Sequence, residues 1–320
     1  MRRDESQLPI AHRTTPESSH MSLVSIGFAV ILTVIFGGNA VAIKLALTGM
    51  GPLTAAGLRF VLAAAAIAGW AYFSGRPFRI RADQIFPLLL ISMGFTIQLG
   101  LFYLGLERTY ASRGVLISNL LPFFVLFLSH RFIPGERITA GKLWGILLGF
   151  SGVICMVAGE NTFSGSVHSG DLLVLAAVTI WSGNVVFTKR IINDFMPFHL
   201  VLYPMIFSAP LFLSAGAAWD TAMVFDLNAV VIGAYVYQSL VSAAFGFVAW
   251  STMLKRFGAS TLHSFIFIMP ISGVVFSGFI LHEPITPNLI VAMTLIAAGI
   301  LMVHRSPRWP SFTFPLGRGL

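Results

Sequence analysis

Five amide side chains and one indole ring stand well inside long apolar segments of this chain: Asn39, Gln98, Asn119, Trp181, Asn184 and Gln238. A buried amide is costly without a hydrogen-bond partner, so it tends to face a cavity or another helix. Amides can hydrogen-bond a neutral or zwitterionic solute, and an indole ring can stack on it. We therefore predict that these six residues line a solute-binding site. The alternative is that they hydrogen-bond and pack between helices.

Two ionisable residues within apolar segments, Arg59 and His263, carry further hypotheses. The guanidinium fork of Arg59 could hold a carboxylate, or it could orient the fold. His263 is the candidate proton carrier, with a hydrogen-bonded core histidine as the alternative. All twelve Asp and Glu residues fall in tails, loops or helix ends, so no central carboxylate is available for proton coupling. Uncoupled movement of solute is equally consistent with the sequence.

Enzymatic chemistry has little support in these residues. Ser264 follows His263, but adjacent positions on a helix face different directions, so the two do not form a nucleophile and its base. No HExxH motif, paired carboxylates or histidine cluster stands in an apolar segment. Cys155 is the single cysteine, which excludes a disulfide within the chain and a cysteine-based metal site. We expect no catalytic residue, metal or cofactor, and an intramembrane enzyme is a remote alternative.

The composition assigns the apolar segments to a membrane. Of 320 residues, 56% are hydrophobic and 10% are Asp, Glu, Lys or Arg, with a mean hydropathy of +0.85. A soluble domain has roughly 25% charged residues. The net charge of +8 and the pI near 10.1 would suggest nucleic acid in a soluble protein, but in a membrane protein basic residues mark cytoplasmic loops. We expect membrane lipid and a small-molecule substrate as partners, and no nucleic acid.

The apolar runs predict an all-α integral membrane protein with ten transmembrane helices, since a span takes about 20 apolar residues. Residues 1–22 are polar and lack the apolar region of a signal peptide, so they are predicted to be a disordered cytoplasmic tail. Residues 305–320 are predicted to be a second cytoplasmic tail. The predicted spans are residues 23–47, 53–73, 85–106, 111–130, 140–158, 171–192, 198–218, 228–253, 259–281 and 288–304.

The basic residues set the predicted orientation, because positively charged loops stay in the cytoplasm. With the N-terminus inside, sixteen of the twenty Lys and Arg residues fall on the cytoplasmic side. Arg108 and Arg113 fall on the outer side, and Lys44 and Arg59 fall within spans. The count predicts that both termini are cytoplasmic.

The two halves of the chain are similar in sequence. Residues 36–44 match residues 181–189 with Gly, Asn, Val and Lys identical, at a spacing of 145. Further along, Pro122 matches Pro270 at a spacing of 148. Glu136 and Glu283 match in the same way at a spacing of 147.

These matches predict two five-helix repeats, residues 23–158 and 171–304. Five is an odd number, so the second repeat crosses the membrane in the opposite sense, as in many alternating-access transporters. Pro122 and Pro270 would kink matching helices and act as hinges, or they are fixed kinks for packing. A row of glycines on one face of the fifth helix is typical of close packing, either between the repeats or in a homodimer; these glycines are Gly141, Gly145 and Gly149.

Several short motifs occur in a fixed order, most of them once in each half: Phe36-Gly37-Gly38-Asn39, Arg59-Phe60, Pro122 with Glu136, Trp181-Ser182-Gly183-Asn184, and Pro270 with Glu283. With the ten spans and the two matching halves, they make the chain resemble the EamA-type transporters of the drug/metabolite transporter superfamily over residues 23–304. The resemblance implies a ten-helix carrier with a central cavity between the halves. Such carriers are usually bacterial inner-membrane exporters of amino acids, related metabolites or drugs.

The residues and the resemblance together lead to one expected function. We expect a secondary transporter in the bacterial inner membrane that exports small neutral or zwitterionic metabolites, amino acids or relatives, by alternating access. An uncoupled channel-like facilitator and a multidrug exporter are the alternatives.

Overall fold

The computed structural model of the protein describes residues 21–133, 138–158, 168–196, 198–257, 262 and 265–305. Within these ranges the chain is helical and forms no β-strand, apart from one isolated bridge between Met50 and Val224. The all-α prediction is confirmed for this part of the chain.

Twelve α-helices make up the described residues. A 3-10 turn at Ile192–Asp194 follows α7, and a π-helical segment at Tyr237–Gly246 joins α9 to α10. The bounds of α1, α2, α6, α8 and α12 lie within one residue of the predicted spans. The helices are α1 Leu23–Ala46, α2 Pro52–Phe73, α3 Ala82–Glu107, α4 Ala111–Ser118, α5 Leu121–Phe132, α6 Ala140–Ala158, α7 Ser169–Ile191, α8 His199–Trp219, α9 Ala229–Val236, α10 Phe247–Phe257, α11 Ile268–Ile280 and α12 Pro287–Arg305.

Two predicted continuous spans are interrupted, each four residues before a proline. Helix α4 ends at Ser118, which is the residue whose carbonyl the ring of Pro122 would meet in a continuous helix. Residues 265–267 form a turn, and α11 begins only at Ile268, two residues before Pro270. The interruptions therefore follow from the prolines themselves, and both prolines stand in the first turn of the helix that resumes.

The apolar helices are suited to a membrane. Three shorter apolar helices cover Ala140–Met156, Ile268–Ile280 and Pro287–Val303. In the described part of the chain, seven further stretches are long and apolar enough to cross a bilayer: Leu23–Ala46, Pro52–Phe73, Ala82–Glu107, Ala111–Phe132, Ser169–Ile191, His199–Trp219 and Ala229–Trp250.

The two halves of the chain are interleaved. The largest interfaces join α6 to α12, α3 to α7, α2 to α8 and α1 to α11. In each of the four, one helix comes from the first half of the sequence and the other from the second. Neither half could bury these faces alone, so the core depends on both.

Glycines let several of these helices approach closely. A Cβ atom at Gly145 on α6 would lie 2.8 Å from the carbonyl oxygen of Gly299 on α12, and one at Gly299 would lie 2.6 Å from the carbonyl oxygen of Gly145. Gly149 packs in the same manner against the ring of Phe123. For Gly145 the predicted close packing is therefore between the two halves of one chain, and a homodimer stays a prediction.

The connections between helices gather at two opposite ends of the bundle. One end, called face A, holds the connections α1–α2, α3–α4, α8–α9 and α11–α12 with the start of α7. There the backbone N–H of Gly51 donates to Met223 O at 3.1 Å, and Lys44 Nζ donates to Thr109 O at 2.8 Å.

The other end, called face B, holds the connections α2–α3 and α7–α8 with the end of α5. The ring of His199 hydrogen-bonds Pro77 O at 2.9 Å, and the hydroxyl of Tyr203 donates to Phe78 O. The described contacts of face B thus run mainly to backbone carbonyls.

The glycine contact between α6 and α12 generates the first prediction. Gly145→Ala should lower the free energy of unfolding by about 1–3 kcal/mol, because the added methyl overpacks the contact with Gly299. Gly27→Ala is the matched control, since a Cβ there meets nothing within 4 Å. Thermal unfolding of both variants in the same detergent measures the difference. Equal stability of the two variants would contradict the packing described here.

Candidate functional site

A chain of three buried polar side chains links α2, α3 and the π-helical segment. Arg59 Nη1 donates to the hydroxyl of Tyr103 at 3.2 Å, and this hydroxyl donates to Gln238 Oε1 at 2.5 Å. Arg59 is 4% exposed, and Tyr103 and Gln238 are fully buried. The structure therefore brings together two of the predicted residues, Arg59 and Gln238, through a tyrosine that the sequence reasoning missed.

Several buried atoms on α1, α2, α3 and the π-helical segment lack a hydrogen-bond partner within the described protein. Two are donors, Arg59 Nε and Gln238 Nε2, and two are acceptors, Asn39 Oδ1 and Gln98 Oε1. No carboxylate of the described residues pairs with Arg59. A buried cation and buried amides without partners are costly, so they mark a place where a polar ligand would be stabilised.

Gln238 is the second residue of the π-helical segment. A π-helix is wider than an α-helix and is often found at functional sites. The hydroxyl of the preceding residue, Tyr237, donates to Ile35 O on α1 at 2.8 Å. The π-helical segment therefore contacts α1 through Tyr237 and α3 through Gln238.

A second group of predicted residues lies where α3 packs against α7. Asn184 Nδ2 donates to Ile91 O at 3.2 Å. The helices run antiparallel, because Gly94 meets Asn184 whereas Gly105 meets Gly170. This register places Gln98 opposite the turn of α7 that holds Trp181. Asn184 and Trp181 are half-buried.

Asn39 and Asn119 lie at other contacts. Asn39 follows Gly37 and Gly38 on α1, where Gly37 packs against Ser272 of α11. Asn119 caps the end of α4, and its Nδ2 donates to Val115 O of the same helix at 2.8 Å. We predict that Asn39 and Asn119 share one cavity with Gln98, Trp181 and Asn184, and this stays a prediction.

His263 and Ser264 fall outside the described residues, and the proton-carrier role of His263 stays a prediction. Pro122 and Pro270 do interrupt matching segments, as expected of kinks. Their role as hinges stays a prediction.

Face A contains a buried ion pair that the sequence reasoning missed. Arg113 Nη2 and Asp171 Oδ2 are 2.5 Å apart, and the two side chains are 4% and 5% exposed. The hydroxyl of Thr109 donates to the same carboxylate at 2.5 Å. Arg113, which the charge count assigns to the outer side, is buried in the first turn of α4, where Asp171 at the start of α7 neutralises it.

Two further carboxylates of the second half hold helix N-termini of the first half at face A. Glu283 accepts from Ala111 N at 2.6 Å, from Ser112 N at 2.9 Å and from Ser112 Oγ at 2.7 Å, at the start of α4. Asp220 accepts from Thr54 N and Thr54 Oγ1, both at 2.8 Å, at the start of α2. A helix N-terminus favours an anion because its first N–H groups are unpaired.

An apolar cavity of about 220 Å³ lies between α5 and α7, toward face B. It is lined by Leu128, Phe132, Gly183, Val186, Phe187 and Arg190. Among the described residues, no group of three or more His, Cys, Asp or Glu side chains is arranged to hold a metal ion.

A multi-pass helical membrane protein with buried polar groups between its helices has the architecture of a solute transporter. The profile of the EamA-like transporter family matches residues 23–158 and again residues 168–305. The chain belongs to the EamA-like transporter family, and it is a transporter.

Curated relatives span nearly the same length. The probable amino-acid metabolite efflux pump of Escherichia coli (strain K12) is 28% identical, covering 88% of this chain and 95% of that protein. The protein of the same name in Salmonella typhimurium is 28% identical, with coverages of 85% and 92%. An uncharacterized transporter of Archaeoglobus fulgidus is 30% identical, with coverages of 86% and 96%.

A solved crystal structure shares the fold. It is 17% identical, with a TM-score of 0.66 over 88% of this chain and 96% of the other. At this identity the likeness supports the arrangement of the helices alone.

The buried ion pair of face A generates the second prediction. Asp171→Asn should destabilise the fold by about 3–5 kcal/mol, because it removes the carboxylate that neutralises the buried charge of Arg113. Removing both charges, in Arg113→Met with Asp171→Leu, should recover most of this loss. Denaturant unfolding in detergent measures both.

The exposed pair Arg81–Asp83 supplies the control. Its side chains are 67% and 66% exposed at a separation of 2.8 Å. Asp83→Asn should change stability by less than about 1 kcal/mol, since an exposed pair is well solvated. An equally small effect of Asp171→Asn would contradict the burial of the face A pair.

Proposed function

We propose that the protein is a secondary transporter that exports small neutral or zwitterionic metabolites, amino acids or their relatives, across the bacterial inner membrane. The names of the Escherichia coli and Salmonella typhimurium relatives support this substrate class. The proposed site consists of Asn39, Gln98, Asn119, Trp181, Asn184 and Gln238, with Arg59 as the carboxylate contact.

The observation that carries the proposal is the unpaired, buried guanidinium of Arg59. Its Nε and the Nε2 of Gln238 are donors without partners, and both side chains bond the same Tyr103 hydroxyl. A substrate carboxylate could therefore accept from both donors at once. Unpaired acceptors on Asn39 and Gln98 are suited to an ammonium group. Donors and acceptors in separate places match a zwitterion better than a single charge.

The positions of the acidic residues disfavour a cationic substrate. The buried carboxylates Asp171, Glu283 and the partly buried Asp220 stand at face A and are bonded to Arg113, α4 and α2. A cationic drug in the membrane interior would call for an acidic partner there, and none of the described residues supplies it. This argues for the metabolite exporter over the multidrug alternative.

The packing supports two inverted five-helix repeats and alternating access. In an inverted repeat, α2 corresponds to α8 and α6 corresponds to α12. Exchanging the two halves therefore leaves the α2–α8 pair and the α6–α12 pair unchanged, and both pairs are in contact. The contact of α1 with α11 maps onto that of α7 with α5, which is also present. In the proposed motion, the segments resuming at Pro122 and Pro270 move as the two faces open in turn.

The orientation follows from charge. We propose that face B is cytoplasmic, with both termini on that side, because sixteen of the twenty basic residues then lie inside.

Transport is tested by a metabolite-resolved efflux screen. Cells that overexpress the protein are loaded with labelled amino acids and dipeptides. A compound that these cells lose faster than empty-vector cells do is identified as the substrate. Efflux should saturate with concentration. A rate that rises linearly without limit would favour the channel-like alternative.

The third prediction concerns the polar site. Tyr103→Phe should lower the efflux rate by roughly tenfold or more, because hydrogen bonds that orient a charged group contribute about 1.5–3 kcal/mol. Tyr235→Phe is the matched control, since its hydroxyl donates to a backbone carbonyl, Leu58 O, at 3.1 Å. Trp181→Ala and Gln238→Leu should also impair efflux at normal membrane levels. Normal efflux by all three variants would place the site elsewhere.

The fourth prediction concerns orientation. In a Cys155→Ala background, an impermeant thiol reagent outside intact cells should label Met223→Cys at face A and leave Arg79→Cys at face B unlabelled. Both positions are exposed. Both should react in permeabilised cells. Labelling of residue 79 from outside would reverse the assignment of the faces.

A further inference from the structure

Two glycines at matching positions of the two halves have different surroundings. Gly38 of α1 and Gly183 of α7 are 145 residues apart, within the repeated motif. A Cβ at Gly38 would lie 2.9 Å from the hydroxyl of Tyr237 and 3.3 Å from the ring of Phe276. A Cβ at Gly183 would meet nothing within 4 Å. One copy of the motif is tightly packed and the other faces open space.

The space at Gly183 is the cavity between α5 and α7. Leu128 lines it from α5. The Pro122–Pro270 spacing of 148 pairs Leu128 with Phe276, and Phe276 is the residue that packs on Gly38 from α11. The contact formed in one half is therefore missing at the corresponding place in the other.

We propose that this cavity closes during transport, with Leu128 packing on Gly183 as Phe276 now packs on Gly38, and that Gly183 is the contact point of the gate at face B. The inference rests on the proposed alternating access between inverted repeats, in which the two halves exchange local arrangements. The structure is then the state with face A closed and face B open.

The contacts at the two faces agree with this assignment. Face A is held by Asp171, Asp220 and Glu283, whose bonds join the second half to the first. The cavity lining is apolar except for Arg190, whose guanidinium donates to Phe132 O at its rim. Closure therefore removes apolar surface from water without burying an unpaired charge.

A side chain at residue 183 has room now but would occupy the space that closure needs. Gly183→Val should leave the membrane level normal and lower the efflux rate by about tenfold or more, because overpacking of the closed contact disfavours that state by at least this factor. Gly69→Val is the matched control, on an apolar helix where a Cβ also meets nothing within 4 Å and which does not line the cavity between α5 and α7. Its efflux should stay within about twofold of the unmodified protein.

Truncating the partner side chain tests the contact directly. Leu128→Ala added to Gly183→Val should restore much of the efflux, since it makes room for the new side chain. Failure of this rescue, with both variants at normal levels, would overturn the Leu128–Gly183 contact. Normal efflux by Gly183→Val would overturn the gate.

A labelling measurement keeps the gate separate from the substrate. In a Cys155→Ala background, Val186→Cys lines the cavity, and a small thiol reagent applied from face B in inverted vesicles reports its opening. Gly183→Val should raise the initial labelling rate, whereas Gly69→Val should not. An unchanged rate would overturn the gate even if no exported solute is found, and failure of the efflux screen alone would leave the gate supported by labelling.

Discussion

Three carboxylates of the second half determine how the first half is held at face A. Asp220 bonds the N-terminus of α2, Glu283 bonds that of α4, and Asp171 pairs with Arg113 one residue further along α4. Each lies where a charge would be costly without its partner, so the bonds are stable only when the helices keep this relative position. Together with the glycine contacts between the two halves, these three interactions align the first half with the second at face A.

The same electrostatic constraint bears on the proposed solute site. Among the described residues no carboxylate pairs with Arg59, whose guanidinium bonds the Tyr103 hydroxyl and lies over the Phe60 ring. The protein therefore offsets the desolvation of this guanidinium incompletely. In the proposed function an anionic group of the solute would supply the missing interaction, which would link affinity for the solute to the stability of the empty protein.

The sequence predicted the bounds of several helices well and the polar contacts poorly, for a physical reason. Lipid requires every backbone group to be paired within its helix, so apolar length alone locates most helix ends, as α6 illustrates. The breaks before Pro122 and Pro270 also follow from a local rule. The burial of Arg113 and the position of Tyr103 depend instead on partners, Asp171 and Gln238, more than 50 residues away. No local pattern contains that information.

A repeated sequence also explains how one chain can hold two alternative packings. Gly38 is packed against α11, and its copy Gly183 lines a cavity. Under the proposed gate, packing of one copy would replace packing of the other, so the loss at one place would be offset by a gain at the other. The relative stability of the two conformations then depends on the interactions that differ between face A and face B. In the described residues that difference is the three carboxylates at face A, against bonds to backbone carbonyls at face B. Under the proposed gate this difference would favour the state that is open at face B when no solute is bound.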